Sequence, residues 1–327
     1  MNSSSHPPAS RAVVAATVSC AVVFGAFVAL QSRINGELGH ALGDGYLAAV
    51  ISFGSGLVLL CVAMLVSRVG RRGLGRVVSA VRARRTPVWY VLGGGAGAFL
   101  VLSQGLTASA LGVALFTVAT VCGQTLSGLL LDRRGLGTMA PKPLTVPRVA
   151  GSMLALVAVV WAVSAQLQSD IPVWMIVMPF LAGLGIGWQQ AVNGQVRGIA
   201  GSALTATFVN FVVGTTVLLV AFGVHTAVAG LPSALPAEPW LYVGGLIGVV
   251  FIAGAAVAVR ITGVLLLGLA TIAGQLVMSL VLDLAAPAVG HTVAWTTVAG
   301  TALTLVAVGI ASVPTGRRPA PRVSPSS

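Results

Sequence analysis

Ten apolar runs occupy most of this 327-residue chain, and each is about 20 residues long. A helix rises about 1.5 Å per residue, so a run of this length crosses the hydrocarbon core of a bilayer once. We therefore predict an all-α integral membrane protein with ten transmembrane helices, here called spans. The spans are expected at residues 12–31, 46–67, 88–109, 111–131, 147–166, 173–192, 204–226, 240–259, 262–283 and 293–313.

The composition excludes a soluble domain. Hydrophobic residues make up 57% of the chain and charged residues only 7%, whereas soluble domains carry about a quarter charged residues. The net charge of +12 would suit a soluble nucleic-acid-binding protein, but here the basic residues form short blocks between the apolar runs. That distribution indicates orientation in a membrane, so we expect the lipid bilayer as a partner and no nucleic acid.

The positions of lysine and arginine predict the topology, because these residues favour the cytoplasmic side of a membrane. A cytoplasmic N-terminus places 17 of the 18 basic residues in the cytoplasm and leaves only Arg33 outside. With ten spans, the C-terminus is cytoplasmic as well. The predicted tails are residues 1–11 and 314–327, whose Ser and Pro content is typical of disordered ends.

The chain also contains an internal duplication. Residues 31–60 match residues 189–218 at eight positions after a shift of 158. Residues 89–132 match residues 240–283 at 14 of 44 positions after a shift of 151. Each copy holds five spans, and an odd number of spans makes the second copy enter the membrane from the opposite face. The predicted inverted repeats are residues 12–167 and 172–313.

Two pairs of neighbouring spans are separated by very few residues. The connections are expected at Ala108–Leu111 and at Arg260–Thr262. If either region were one unbroken helix, it would be about 40 residues long, which no ordinary bilayer accommodates. We therefore predict a tight helical hairpin at the equivalent place in each repeat.

Spans 4 and 9 carry equivalent polar pairs, Thr120 with Gln124 and Thr271 with Gln275. A spacing of four residues places both members of a pair on one helix face. A row of small residues runs beside each pair and predicts that another helix approaches closely. Two interpretations of the amides stay open, since they either join neighbouring helices by hydrogen bonds or face a substrate. The small residues are Ala119 with Gly123 and Ala270 with Gly274.

A second set of equivalent polar residues lies near the ends of spans 1 and 6. Each span carries Gln and Asn four residues apart, and Gly36 or Gly194 follows the Asn. Glycine after a polar helix end can release the backbone into a turn, so we expect both spans to end here. The side chains then either cap the helix or form a gate, with partners in the following helix. The set comprises Gln31, Asn35, Ser52, Gln189, Asn193 and Asn210.

Asp132 and Asp283 occupy equivalent positions at the ends of spans 4 and 9. A carboxylate at such a place either forms a salt bridge in the membrane interface or carries a coupling proton. Arg33 and Glu37 are four residues apart, and we expect them to pair on one helix face.

The cysteines and histidines give no site. The three cysteines lie inside apolar runs, and the four histidines lie in tails, in connections or at the end of a span, far apart in sequence. The spacing of a metal site and the motif of a phosphate-binding loop are both missing. We therefore expect no metal, no cofactor and no catalytic residue.

A family resemblance rests on a motif that occurs twice. The motif is Gln-x3-Asn-Gly from Gln31, continued by Ser-Phe-x2-Gly from Ser52, and a similar motif begins at Gln189. The chain resembles the drug/metabolite transporter (DMT) superfamily, and within it the EamA-like branch of the bacterial inner membrane, over nearly its whole length apart from the tails. In that branch, single five-helix units also occur alone. The resemblance implies a secondary transporter of the bacterial cytoplasmic membrane, often an exporter, with a central cavity between its two halves.

The resemblance implies that the third and fourth helices of each half line the cavity. In this chain those helices are spans 3, 4, 8 and 9. Small multidrug members use an intramembrane Glu in the first helix of each unit, but spans 1 and 6 contain no acidic residue. The resemblance therefore favours efflux of a small polar or zwitterionic metabolite over a cationic drug. The alternative is a lipid-handling or non-transporting scaffold protein, and monomer and homodimer both stay open. The implied substrate-binding residues are Gln104, which has no equivalent in the second repeat, Thr120, Gln124, Thr271 and Gln275.

Overall fold

The computed structural model describes residues 11–134, 145–164, 172–230, 234–287 and 293–311. Within these ranges the chain is helical and contains no strand, which confirms the all-α prediction. The predicted tails lie outside the described residues, apart from Arg11. The α-helices are α1 (Arg11–Leu42), α2 (Gly45–Val66), α3 (Arg68–Arg82), α4 (Gly94–Ser103), α5 (Ser109–Leu111), α6 (Val113–Arg134), α7 (Val146–Ser164), α8 (Val173–Ala200), α9 (Ala203–Ala229), α10 (Gly244–Ala285) and α11 (Trp295–Ala311).

Seven segments in the described part of the chain are long and apolar enough to cross a membrane. Two shorter apolar helices, Val149–Ala162 and Trp295–Ala311, accompany them. Large apolar side chains such as Leu65, Val66 and Val228 are exposed on these helices, as expected of surfaces that face lipid. The seven segments are Ala15–Leu42, Gly45–Val66, Val88–Leu111, Val113–Leu131, Val173–Ala200, Ala203–Ala229 and Gly268–Ala285.

The first helix of each repeat is longer than predicted. Helices α1 and α8 continue through the Asn-Gly pairs and end only at Leu42 and Ala200, so the prediction that they end at the Asn-Gly pairs is wrong. The turn glycines are instead Gly43 and Gly201, with φ angles of 62° and 59°, where glycine avoids the strain of the left-handed region. Gly36 serves packing, because a Cβ there would lie 2.9 Å from the Cβ of Ala108.

The helices that follow these turns begin at equivalent caps. The Asp44 carboxylate accepts hydrogen bonds from the backbone N–H groups of Tyr46 (2.8 Å) and Leu47 (3.0 Å) at the start of α2. Ser202 Oγ accepts one from the Thr205 N–H (3.3 Å) at the start of α9. Both caps satisfy helix donors that have no partner within the helix. Both repeats therefore contain the same sharp turn between their first two helices.

The first predicted hairpin has its break at Gly112, one residue beyond the predicted connection Ala108–Leu111, which is itself helical. A 3-10 turn, Val88–Gly93, leads into α4, and a π-helical turn, Gln104–Ala108, follows it. The helix then breaks at Gly112, whose φ is 79°, before α6 begins. Glycine is required at this break, because an L side chain there would be strained.

The second hairpin differs from its prediction. No loop is observed at 260–262, since every residue of Gly244–Ala285 is helical. Gly248 packs against Gln31 of α1, and Thr271 packs against Gly25 of the same helix. These positions are about 9 Å apart along α1, whereas a straight helix from Gly248 to Thr271 would extend about 35 Å. Helix α10 therefore bends back, and both of its arms pack on α1.

Equivalent helices of the two repeats run antiparallel. At the start of α2, Tyr46 stacks on His225 near the end of α9, with ring centroids 4.4 Å apart. Just beyond the end of α2, a Cβ on Gly70 would lie 3.1 Å from Leu204 at the start of α9. Helices α7 and α11 pair in the same way, through Gly151 against Ala311 near the two opposite ends. The two repeats are therefore inverted with respect to each other.

The repeats are also interleaved. Gly25 of α1 lies against the backbone of Thr271 in α10, and Gly183 of α8 lies against the backbone of Thr120 in α6. Gly123 and Gly274, from the predicted rows of small residues, touch the backbones of α8 and α1 in turn. The first helix of each repeat thus packs against the fourth span of the other repeat, and the predicted close crossings are present.

Phe53 and Phe211 mark the pseudo-two-fold axis. They occupy equivalent positions in α2 and α9, and their rings stack with centroids 4.8 Å apart. A Cβ on Gly56 would overlap the ring of Phe211, and a Cβ on Gly214 would overlap the ring of Phe53. Each phenylalanine therefore fits over the glycine of the opposite repeat.

Candidate functional site

A buried group of amides and hydroxyls, which we call the first amide cluster, is formed by Gln31, Ser32, Asn35, Ser52 and Gln104. Asn35 Nδ2 donates a hydrogen bond to Gln104 Oε1 (2.7 Å), and Gln104 Nε2 donates to Ser32 Oγ (2.9 Å). Asn35, Ser32 and Gln104 are at most 1% exposed. The cluster therefore joins α1 to the π-helical turn of the same repeat.

The same cluster contacts the other repeat through glycine. Gln31 Nε2 donates to the carbonyl oxygen of Gly244 (3.0 Å), at the start of α10. A Cβ at Gly244 would overlap Asn35 Oδ1 and lie 3.1 Å from Ser52 Oγ. Asn35 Oδ1 and Ser52 Oγ have no hydrogen-bond partner among the described residues. The absence of a side chain at Gly244 thus lets two polar atoms of the first repeat meet the backbone of the second.

The second amide cluster comprises Gln189, Asn193 and Asn210. Gln189 Nε2 and Asn193 Nδ2 both donate to Asn210 Oδ1, at 2.8 and 3.1 Å. The cluster also faces glycines of the other repeat, since a Cβ on Gly97 would lie 2.6 Å from Gln189 Nε2 and one on Gly93 would lie 3.2 Å from Asn193 Oδ1. It therefore joins α8 to α9 within one repeat and touches the start of α4 in the other.

The two clusters hold the residues that the sequence placed near the ends of spans 1 and 6. Asn210 is the partner predicted for its cluster, whereas the Ser52 hydroxyl makes no hydrogen bond in the described part of the structure. The sequence analysis missed the glycines that face the amides. Gly93-Gly94 matches Gly244-Gly245 after the shift of 151, and this match is the signal that could have revealed them.

The predicted substrate-binding residues are divided between two places. Gln104 belongs to the first amide cluster, where both ends of its amide are hydrogen-bonded. Thr120 Oγ1 donates to the Phe116 carbonyl (2.9 Å) of its own helix. Gln124 is half-buried beside the crossing of α6 and α8, and Gln275 is buried beside the crossing of α10 and α1. No hydrogen bond in the described ranges joins the α6 pair to the α10 pair.

Asp283 caps a helix from the other repeat. Its carboxylate accepts hydrogen bonds from the N–H groups of Val113 (2.9 Å) and Ala114 (2.7 Å), the first residues of α6. A negative charge is stabilised at a helix N-terminus, where the backbone donors lack partners. Arg33 pairs with Glu37, as predicted, and its Nη1 lies 3.9 Å from Asp283. The side chain of Asp132 lies outside the described part of the structure.

The electrostatic character of the two clusters is neutral. Their polar groups are amides and hydroxyls, and the nearby charges of Arg33, Glu37 and Asp283 lie next to one another. Within the described residues, no three His, Cys, Asp or Glu side chains come together as metal ligands. The arrangement can therefore exchange hydrogen bonds with a polar molecule without burying an unpaired charge.

Comparison with known proteins agrees with this architecture. No curated protein matches the chain. A solved structure described only as "Crystal structure of protein" has the same fold, with a TM-score of 0.54 and 19% identity over 92% of this chain and 98% of that chain. The family model described as "Putative inner membrane exporter, YdcZ" matches residues 16–161 and again residues 174–310. The chain therefore belongs to the YdcZ family of the drug/metabolite transporter superfamily and is a multi-pass protein of the inner membrane.

Proposed function

We propose that this protein is a secondary transporter that exports a small polar or zwitterionic metabolite by alternating access. It has ten spans, because the bent helix α10 supplies two and the shorter helices α7 and α11 one each. Both termini are cytoplasmic, and the two repeats correspond to residues 12–167 and 172–313. Family membership and the inverted repeats support this proposal, since inverted repeats are a common architecture of secondary transporters.

The observation that carries the proposal is that each amide cluster includes the residue next to one of the two stacked rings, Ser52 beside Phe53 and Asn210 beside Phe211. The second cluster lies toward the cytoplasm, because Arg76 of the arginine-rich helix α3 binds the last carbonyl of α8. The first cluster lies toward the opposite face, on the same side as Arg33. Each cluster contacts both repeats, so rocking of one repeat against the other opens one cluster while the other stays closed.

The chemistry of the polar groups supports a neutral or zwitterionic substrate. Amides and hydroxyls both donate and accept, so they satisfy a polar molecule without carrying a net charge of their own. Gln124 and Gln275 are the binding residues we propose, because they lie at equivalent positions beside the two close crossings. Asp132 and Asp283 are the acidic residues we propose for coupling, and Asp283 would have to leave its cap on α6 during the cycle.

A ligand screen tests the proposal. Thermal unfolding of the purified protein in detergent would be measured with neutral, zwitterionic, anionic and cationic metabolites. A ligand that binds only the folded protein raises its stability by about 2.7 kcal/mol at a hundredfold excess over the Kd. We expect a zwitterionic or neutral hit, whose counterflow would then be measured in proteoliposomes.

The binding residues are tested with the same hit. Gln124→Leu and Gln275→Leu should each abolish the thermal shift. Thr125→Val is the matched control, because Thr125 lies next to Gln124 on a different helix face and its hydroxyl bonds to the Val121 carbonyl. Unchanged binding in both Gln variants would overturn the site assignment. A screen without hits, together with vesicles that show no counterflow, would instead favour a lipid-handling or scaffold protein.

A further inference from the structure

Helix α3 lies across the cytoplasmic end of the second repeat and is anchored there. Thr205 Oγ1 of α9 donates a hydrogen bond to the Gly70 carbonyl (2.8 Å), and Arg76 Nε donates to the last carbonyl of α8 (3.1 Å). Val77 on the apolar side of α3 is 3% exposed, whereas Arg68 and Arg72 on the other side are exposed. The helix is therefore amphipathic and fixed at the membrane surface.

An apolar groove of about 340 Å³ lies between α3 and α9. Valine, leucine and phenylalanine side chains form its walls, and Arg82 is the one charged residue among the described residues that line it. Val78 of α3 and Val212 of α9 are 40% and 37% exposed at the groove. The concave shape, rather than the exposure of apolar side chains, distinguishes this surface from the rest of the lipid-facing surface.

The groove opens toward the bilayer. Val212, Leu219 and Val220 are exposed and are spaced seven and eight residues apart on α9, so they lie on one face of that helix. Val212 lines the groove, and the other two residues continue the same face along the span. A molecule that enters the groove from this side comes from the bilayer. The part of such a molecule that fits an apolar groove is the acyl chain of a lipid.

Positive charge lies at the groove and in the residues that follow α3. Arg82 lines it, and Arg84 and Arg85 follow directly at the exposed end of α3. In the described part of the chain, no ion pair involves any of these three arginines. An arginine can lay its aliphatic stem along apolar surface while its guanidinium reaches the headgroup region. Arginines at the cytoplasmic surface attract anionic lipids.

We propose that the groove between α3 and α9 is a binding site for an anionic phospholipid, with one acyl chain in the groove and the headgroup phosphate at Arg82. The lipid fills a space that packing leaves open and joins α3 to α9. The residues of α9 that line the groove, including Val209 and Val213, flank Asn210 in sequence. The bound lipid therefore supports the helix that carries the shared acceptor of the second amide cluster.

The test is lipid-dependent thermal unfolding of the full chain in detergent, titrated with phosphatidylglycerol or with phosphatidylcholine of the same acyl chains. We expect phosphatidylglycerol to stabilise the protein at a lower concentration. Arg82→Gln should raise its half-saturating concentration about fivefold, since one arginine near a charged surface contributes about 1 kcal/mol. Arg72→Gln, on the opposite side of α3, is the matched control and should leave the titration unchanged.

A second pair of variants tests the groove itself. Val78→Phe fills the groove and should abolish stabilisation by both lipids, whereas Val69→Phe places the same ring at an exposed position that does not line the groove. Inorganic phosphate alone should have no effect. Equal stabilisation by the two lipids, or equal losses in Arg82→Gln and Arg72→Gln, would overturn the proposal, because either result means that no specific headgroup site exists. Stabilisation that persists in Val78→Phe would contradict the placement of the acyl chain.

Discussion

The two amide clusters occupy equivalent places in the two repeats, yet their hydrogen bonds differ. In the first cluster, Asn35 and Ser32 are joined through Gln104, and Asn35 Oδ1 and Ser52 Oγ have no hydrogen-bond partner in the described ranges. In the second cluster, Gln189 and Asn193 share one acceptor, Asn210 Oδ1. The backbone framework is duplicated, whereas the side-chain chemistry is specific to each half.

This difference has a consequence for the proposed transport cycle. The first cluster joins α1 to the third span of its own repeat through Gln104, and position 255, which is equivalent to 104, is alanine. The second cluster joins α8 to α9 instead. Because different helices are joined by the two clusters, we expect the two proposed gates to differ in stability. The inward-open and outward-open states would then have unequal free energies.

The largest loss in the free energy of unfolding is expected at glycines that occupy equivalent positions in the two repeats. A Cβ on Gly94 would overlap the Asn210 carbonyl oxygen, and one on Gly245 would overlap the Ser52 carbonyl oxygen. Backbone atoms cannot rotate away, so Gly94→Ala and Gly245→Ala should each lower the free energy of unfolding by about 3 kcal/mol. Denaturant unfolding in detergent measures both, with Gly95→Ala as the control, because no atom lies within 4 Å of a Cβ there. Unequal losses would show that the framework itself differs between the repeats.

An intermediate loss in the free energy of unfolding is expected in the second amide cluster and a much smaller one in the first. Asn210→Ala removes the acceptor of two amides and should lower the free energy of unfolding by about 1.5 kcal/mol. Ser52→Ala, at the equivalent position, should change it by less than about 0.3 kcal/mol, because Ser52 Oγ has no partner to lose. The same unfolding assay compares them, and equal losses would contradict the observed difference between the clusters.

The smallest effect is a coupling energy. A double-mutant cycle of Asn35→Ala and Gln104→Ala should give a coupling of about 1 kcal/mol, since interhelical hydrogen bonds in membranes have modest energies. The matched cycle of Asn193→Ala and Gln104→Ala should give additive losses, because these side chains belong to different clusters. A coupling in the second cycle as large as in the first would mean that the clusters communicate through the protein.

The sequence predicted what depends on repetition and on local periodicity. The shift of 158 placed Gln31 and Gln189 in equivalent positions, and small residues spaced four apart predicted the close crossings at Gly123 and Gly274. The helix ends were mispredicted because Asn-Gly is only a local turn signal. In α1, packing of Gly36 against Ala108 outweighs that signal, whereas in α8 no atom lies within 4 Å of a Cβ on Gly194, so packing at this glycine does not explain why α8 continues.

Other contacts could not be predicted because they join residues that are distant in sequence. Asn35 and Gln104 are 69 residues apart, and Asp283 is 170 residues from the N–H of Val113 that it caps. Neither pair has a local sequence pattern. Gln104 has no equivalent in the second repeat, and Asp283 of the second repeat caps a helix of the first. The site is therefore less predictable than the fold, since its chemistry depends on how the two repeats meet.

The contact between Phe53 and Phe211 also bears on how such a chain can arise. Each phenylalanine covers the glycine of the other repeat, so the contact is isologous, as in a symmetric dimer. Two separate copies of a single five-helix unit, inserted in opposite directions, would meet through the same residues. Fusion of the two copies by gene duplication preserves this contact and also allows each half to mutate alone. The glutamine at position 104, opposite an alanine at 255, is a change that only the fused chain can carry in one copy.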